Sequence, residues 1–327
     1  MPSRRSVLAA LGGALSLPAL NSALAQSDFP NRPLRIIVPF PPGGSQDVLA
    51  RVIAERLAAA LGQPVVIENR PGAAGNVGVD AVARAEADGY TIGVATIGPL
   101  SAHTALYARL PFNPRTDFTY LADLFEIPNI FVVSLASPVQ NIQEFIAWAK
   151  QRGSAKVSYG TPGVGTTAHL GTELFSRKTG LELLHVPYRT GAVAVQDLIA
   201  GRIDMMFDNL PTIIGQIEGK QIRPIAVSTA KRWPGLPAVP TMIESGIADF
   251  DVTSWSGMIA PKGLPAPIAA RLTAELVKMG EDPAFVAKLV QMGAASTMKG
   301  PDVLQARVDR ETPRWAEVIK AAGLRVD

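Results

Sequence analysis

Short apolar runs alternate along this chain with stretches whose apolar residues recur at helical spacing. Ile36, Ile37 and Val38 make the first run. Pro41, Pro42, Gly43, Gly44 and Ser45 follow it, and Leu49, Ile53, Leu57 and Leu61 then fall on one helical face. Gly62 is placed to end that helix, and residues 64–67 supply the next strand. The unit is therefore a βαβ crossover, with a parallel sheet covered on both faces. A Gly-rich loop over 69–76, a helix over 77–85, a turn at Asp88 and Gly89 and a strand over 90–95 continue the series. Thr96, Ile97 and Gly98 are left at that strand's carboxyl end.

Beyond Pro128 a second series opens, with strands near 130–133, 157–159, 183–186, 203–207 and 222–227 separated by helical spacing. A Pro-rich passage over 234–240 leads to an apolar strand over 252–259. Helices then follow near 266–279, 283–292 and 303–322. Too few strands remain there for a third sheet, so the C-terminal part is expected to rejoin the first lobe. The predicted fold class is α/β with two lobes: residues 26–126 plus 250–327 form one, residues 127–249 the other, and the chain crosses between them near 126 and 250. A doubly crossed hinge suits closure around a ligand.

The first residues break this pattern. Arg4 and Arg5 precede an apolar run over 7–20, and Ala23, Leu24 and Ala25 end it with small residues at cleavage-site spacing. Residues 1–25 therefore read as a signal peptide cut before Gln26. Gly12, Gly13 and Pro18 interrupt a run already short for a bilayer span. The paired arginines also fit a twin-arginine signal, which leaves both export routes open. Without this segment, which has two arginines and no acid, the formal charge falls from +3 to +1, and nothing calls for nucleic acid.

Composition adds mainly exclusions. The absence of cysteine removes disulfides, thiolate metal sites and a cysteine nucleophile. His103, His169 and His185 are scattered, with no metal-ligand spacing, and no serine sits in a Gly-x-Ser-x-Gly elbow. No catalytic residue, metal or cofactor is expected. A secreted hydrolase acting through Ser45 is the weakest alternative, because no base is spaced to serve it.

What remains are loops at the carboxyl ends of strands, where open α/β sheets bind ligands. In the first, Gly43 and Gly44 let backbone approach a guest, and the amides of the following helix suit an anion; Ser45 or Asp47 can equally serve only as a cap. The second loop, with Gly160, Gly163, Gly165, Thr166 and Thr167, repeats the arrangement in the other lobe. It lacks both the Walker and the dinucleotide glycine spacing. A third offers Tyr188, Arg189 and Gly191, with Arg189 either a carboxylate partner or a solvated charge. Asp208 either accepts from a ligand ammonium or hydroxyl, or caps the helix after Pro211. Trp255 fits core better than lid.

Linked motifs then carry a resemblance: residues 35–45, Glu68-Asn69-Arg70-Pro71-Gly72-Ala73, Asp88-Gly89-Tyr90-Thr91, Val186-Pro187-Tyr188-Arg189 and Val239-Pro240-Thr241. Across essentially the whole exported chain the sequence resembles the Bug receptors, extracytoplasmic solute-binding proteins of tripartite tricarboxylate transporters. The resemblance implies a type II periplasmic-binding-protein (Venus-flytrap) fold, a periplasmic monomer without enzymatic activity, and a small carboxylate ligand delivered to membrane permease subunits. That ligand would be a dicarboxylate or tricarboxylate, an acidic amino acid or an aromatic acid. A receptor that signals to a membrane sensor reads the same way. The resemblance maps ligand contacts onto Gly43, Gly44 and Ser45, onto Gly163, Gly165, Thr166 and His169, and onto Tyr188, Gly191 and Asp208, with Thr96 and Gly98 from a further loop. Gln46, Thr190 and Val193 depart from common family residues; Gln46, counted among the contacts, either donates its amide to a distal group of the ligand or only covers the helix end.

Overall fold

A computed structural model describes residues 29–327; the expected signal segment lies outside them. Strand β1 (Leu34–Val38) buries every residue but Arg35, as a strand covered on both faces must. Helix α1 (Ser45–Leu61) turns Leu49, Ile53, Leu57 and Leu61 inward. It stops at Gly62, whose left-handed backbone, φ 68°, lets its N–H reach Ala58 O. Strand β2 (Val65–Asn69) lies parallel to β1, with Leu34 beside Val65 and Val38 beside Asn69. Helix α2 (Asn76–Ala83) leads to β3 (Thr91–Thr96), fully buried on the other side of β1.

One strand joins two sheets. β4 (Phe118–Ser134) is 17 residues long. Its first half pairs antiparallel with β9 (Thr253–Pro261) and with β10 (Ala295–Lys299), giving the order β2-β1-β3-β9-β4-β10. Its second half pairs antiparallel with β7 (Met205–Asn209) and β8 (Ile222–Val227). Parallel strands β5 (Ser158–Thr161) and β6 (Leu184–Pro187) then extend the second sheet as β6-β5-β7-β4-β8.

The expectation that a new series opens after Pro128 is corrected here, because β4 runs straight through that residue. Pro128 sits opposite Thr253, beyond the β10 pairing that ends at Glu126 and just before the β7 pairing that starts at Asn129. Its missing N–H therefore falls in the gap between two ladders, where a proline is tolerated.

Ser228 ties the strands that pass between the sheets. Its N–H donates to Asn129 O, its hydroxyl accepts from Asn129 N–H and donates to Val252 O, and its carbonyl accepts from Val252 N–H. Asn129 lies within β4 and Val252 just before β9, so one buried side chain couples both passages.

Helix α3 (His103–Leu106) follows β3 and α4 (Ile142–Arg152) follows β4, and helices α5 (Thr167–Thr179), α6 (Gly191–Ile199) and α7 (Leu210–Glu218) follow the later strands of the second sheet. Helices α8 (Ala266–Met279), α9 (Pro283–Gln291) and α10 (Pro301–Ala321) complete the chain. Leu49, Ile53, Leu272 and Leu276 pack with Ile36, Ile92 and Met258 on one face of the first sheet. A second core runs from Ile37 and Ala95 through Trp255 and Trp315 to Phe131 and Phe207, so apolar packing is continuous behind both sheets. Trp255 is part of this core, 1% exposed, which settles its place away from any lid.

Candidate functional site

Between the two sheets lies a cleft of about 750 Å³, within the usual range for a small-molecule site. Its walls are loops at the carboxyl ends of strands from both sheets. They gather Gly43, Gly44, Ser45, Gln46, Thr96, Gly98, Gly163, Gly165, Thr166, Tyr188, Arg189, Gly191 and Asp208, which is every ligand contact expected from the sequence except His169. The starts of α1, α5, α6 and α7 also line it, through Ser45, Thr167, Gly191 and Asn209. A helix start presents unpaired N–H groups and the positive end of the peptide dipoles, so four of them around one cleft favour an anion.

The first loop uses its amides differently from the sequence expectation. Gly43, at φ 78°, donates its N–H to Asp47 Oδ2 at 2.9 Å. Asp47 is also held by Arg51 and by Asn69 Nδ2, the latter at 2.8 Å. Burial opposes its ionisation, but these bonds outweigh it and keep the carboxyl below the usual range. Asp47 thus clamps the loop from inside. Gly43 shapes the turn, and the amides of Ser45 and Gln46 are left without a partner among the described residues, since α1 has no side-chain cap and its first backbone bond is Val48 N–H to Gly44 O.

Gln46 is 3% exposed, and its Oε1 accepts from Ser256 Oγ at 2.7 Å. With that oxygen engaged, the side chain's remaining capacity in the cleft is its amide N–H pair. Ser45 Oγ accepts from Asn209 Nδ2 at 3.0 Å, while Asn209 Oδ1 accepts from Asn129 Nδ2 at 3.0 Å. This relay bridges the cleft from β7 to α1. Nothing in the sequence marked Asn209, because its partner lies 164 positions away.

The second loop is held from behind. Thr166 caps α5 by accepting from His169 N–H and donating to Gly163 O. Gly165 gives its N–H to His169 Nδ1 at 3.2 Å, and its carbonyl lies 3.2 Å from His103 Nε2 across the cleft. His169 does not line the cleft. It is 3% exposed and stacks on His185 with centroids 4.2 Å apart; burial, then His185, pushes it down to about 3. A neutral ring can accept at Nδ1, so His169 holds Gly165 in place from behind the loop.

In the third loop Tyr188 donates its hydroxyl to Asp197 Oδ2 at 2.8 Å, and burial, then Asp197, pushes the phenol up to about 12. Arg189 is exposed at the rim. Thr190 caps α6 by accepting from Val193 N–H. Asp208 is 2% exposed; its Oδ1 accepts from Asn209 N–H at 2.7 Å.

A fourth wall, Pro71 to Gly75, enters the cleft from the Gly-rich loop that the sequence marked without assigning it a ligand contact. Gly72, Ala73, Ala74 and Gly75 all have positive φ, at 143°, 45°, 49° and 102°. Two alanines in the left-handed region are costly by about 1 kcal/mol or more each. The Pro71-Gly72 pair was the available signal.

Among the described residues lining the cleft, the ionisable side chains are Tyr188, Arg189 and Asp208, beside an otherwise neutral surface rich in Pro, Gly and Ala. The described residues hold no group of three or more His, Asp or Glu able to bind a metal, and no helix long and apolar enough to cross a membrane.

Replacing Asn209 by alanine is expected to remove the bridge to Ser45. One neutral hydrogen bond contributes about 1 kcal/mol, so the affinity for a bound carboxylate should fall about fivefold to tenfold. Titration calorimetry of the variant measures it, and unchanged affinity would show that the bridge plays no part in closure.

Comparison with known proteins accords with this geometry. The sequence profile described as "Tripartite tricarboxylate transporter family receptor" matches residues 49–324. BugT of Bordetella pertussis (strain Tohama I) is 33% identical over 321 residues, covering 98% of each chain. Among solved structures, R. palustris Rpa4515 with adipate matches with a TM-score of 0.88 and 38% identity, over 91% of this chain and all of that one. The periplasmic binding protein BugD matches with a TM-score of 0.85 and 36% identity, over the same shares. These neighbours are solute-binding proteins of the two-lobe periplasmic type. A profile spanning most of the chain, a near full-length relative and two closely superposing structures agree: this chain belongs to the tripartite tricarboxylate transporter receptor family, the Bug receptors.

Proposed function

We propose that the protein is a monomeric periplasmic receptor that captures a small carboxylate and presents it to the permease subunits of a tripartite tricarboxylate transporter, without chemical turnover. The observation that carries this is the convergence of four helix starts on a cleft whose surface is otherwise nearly uncharged. Such a surface holds an anion by backbone amides and dipoles. Residues 26–126 with 250–327, and residues 127–249, are the two lobes that close. Ser45 and Gln46 from α1, Thr96 and Gly98 after β3, and Gly163, Thr166 and Gly191 from the second sheet supply the contacts, with Arg189 at the rim.

The same geometry argues against a hydrolase. The neighbour of Ser45 Oγ is the Asn209 amide, which donates to it and cannot take its proton. The adipate bound by the R. palustris neighbour supports a carboxylate ligand for this chain as well.

Thermal unfolding in the presence of a panel of small carboxylates tests the proposal. A ligand at a hundredfold excess over Kd adds about 2.7 kcal/mol, which for a chain of this size raises Tm by on the order of 5 °C. No shift with any carboxylate, or hydrolysis of one that binds, would overturn it.

A further inference from the structure

From the strands that pass between the two sheets to the start of α1 runs one line of hydrogen bonds. Asn129 stands in β4 at the passage, directly opposite Asn209 of β7. Its backbone is held there by Ser228: its N–H donates to Ser228 Oγ at 2.9 Å, its carbonyl accepts from Ser228 N–H at 2.9 Å, and Ser228 Oγ donates on to Val252 O in the other passage. Its side chain points the other way along the line. Asn129 Nδ2 donates to Asn209 Oδ1, and Asn209 Nδ2 donates to Ser45 Oγ, both at 3.0 Å.

The line has a direction. Asn129 is fully buried and its Oδ1 has no hydrogen-bond partner among the described residues, so the bond to Asn209 is the one that orients this side chain. A primary amide donates from one atom and accepts at the other. With Asn129 giving Nδ2, Asn209 turns Oδ1 toward β4 and Nδ2 toward Ser45. Ser45 Oγ then accepts, and its own hydrogen is left to donate into the cleft that Ser45 lines. The same residue opens α1, which has no side-chain cap, so its hydroxyl and its amide can serve one carboxylate together. Were the line reversed, Asn209 Oδ1 would take the hydroxyl hydrogen and leave the carboxylate an oxygen with nothing to give.

We infer that Asn129 and Asn209 are positioning residues for carboxylate capture, passing the geometry of the strand passage at Ser228 to the Ser45 hydroxyl, so that bound carboxylate and closed lobes stabilise each other. Resting on the carboxylate-capture proposal, this coupling adds a route by which an occupied cleft holds the passage in one geometry. Opening the lobes changes the angle of the strands at Asn129, Ser228 and Val252. Asn129 Nδ2 is then drawn off Asn209, and Ser45 loses the partner that aims its hydrogen. By linkage, whatever the passage adds to carboxylate affinity, the carboxylate adds to the closed geometry of the passage. Asn129 does not line the cleft, so its influence on a guest has to travel through Asn209.

A double-mutant cycle on the exported chain tests the relay, with succinate, adipate, malate and benzoate as probes and the tightest binder carried through titration calorimetry. Asn129→Ala should weaken that probe by about fivefold to tenfold while Ser45 is intact, the loss of one hydrogen-bonded link. In a Ser45→Ala background the same change should cost less than about twofold, because the relay has no end left to act on. An equal factor in both backgrounds, or no loss in either, overturns the relay and leaves carboxylate capture intact. Failure of the unaltered protein to bind any probe overturns both. Should Asn129→Ala not fold, hydrogen exchange decides with Ser45→Ala alone. A saturating probe should slow exchange of the Asn129 and Val252 backbone amides about tenfold or more in the unaltered protein and less than about threefold in the variant. Equal slowing in the two proteins overturns the inference.

Discussion

Gly165→Ala should hold the two lobes apart and weaken carboxylate binding by about a hundredfold or more, equivalent to roughly 3 kcal/mol. Gly165 has φ 83°, in the region where an L residue costs about 1–2 kcal/mol. The larger effect is steric and acts across the cleft. A Cβ there would lie 2.6 Å from Leu106 Cδ2 and 2.9 Å from His103 Nε2, both on the segment between β3 and β4. Leu106 and His103 are fully buried and have no room to retreat. His103 is further pinned between two oxygens, with Nδ1 2.7 Å from Asn76 Oδ1 and Nε2 3.2 Å from Gly165 O. Burial pushes this ring down to about 4, so at neutral pH it carries one proton, which it gives to one of these two oxygens.

The added methyl group thus meets two immovable side chains, and the second loop must move away from them. Small-angle scattering should report a larger radius of gyration for the variant under saturating ligand, and calorimetry the weaker binding. Gly180→Ala is the control. Gly180 has a similar φ of 69°, but its Cβ would meet nothing within 4 Å. It should lose about 1 kcal/mol of stability and keep full affinity. A Gly165→Ala protein that binds like the unaltered chain would sink the idea that this glycine permits closure.

These cases show which parts of the site could be seen in the sequence. Glycine and proline runs after apolar strands located the three main loops, because backbone that must approach a guest or turn sharply demands those residues. The sequence could not assign the amides. Asp47 and His169 each take an N–H that the glycine pattern had offered to a ligand, at Gly43 and Gly165. That choice depends on side-chain reach within a turn, which spacing alone does not show. Asn209 and Ser228 were invisible for another reason. Their partners Ser45 and Val252 are brought close only by the fold, 164 and 24 positions away.

The strands follow the same division. Runs such as Ile36-Ile37-Val38 are legible because a covered parallel strand must be apolar throughout. β10, with Ser296, Thr297 and Lys299, is an edge strand whose composition resembles a loop. The first half of β4 was hidden by Pro128, a residue that normally ends a strand and here falls between two ladders.

Arg307→Met should destabilise the fold by about 3–5 kcal/mol near pH 7.5 and by much less near pH 5. Arg307, on α10 and 9% exposed, places Nη2 3.0 Å from Asp123 Oδ2 and also pairs with Glu126. Asp123 is fully buried in β4. Burial pushes its carboxyl up to about 6, although Arg307 pulls the other way; Glu126 adds to the rise. A folded value above the unfolded one means that this acid favours the fold most when protonated, at low pH. That contribution is lost as pH rises through about 6. Without the guanidinium the charged form is less tolerable still, so the variant keeps Asp123 protonated to higher pH and suffers most where solution forces ionisation. Methionine fills similar space beside Trp255, over which the guanidinium lies at 5.7 Å. The loss therefore reports the uncompensated charge more than a cavity. Urea unfolding at both pH values measures it. A deficit below about 1 kcal/mol, or one equal at the two pH values, would show that Asp123 is not the group Arg307 stabilises.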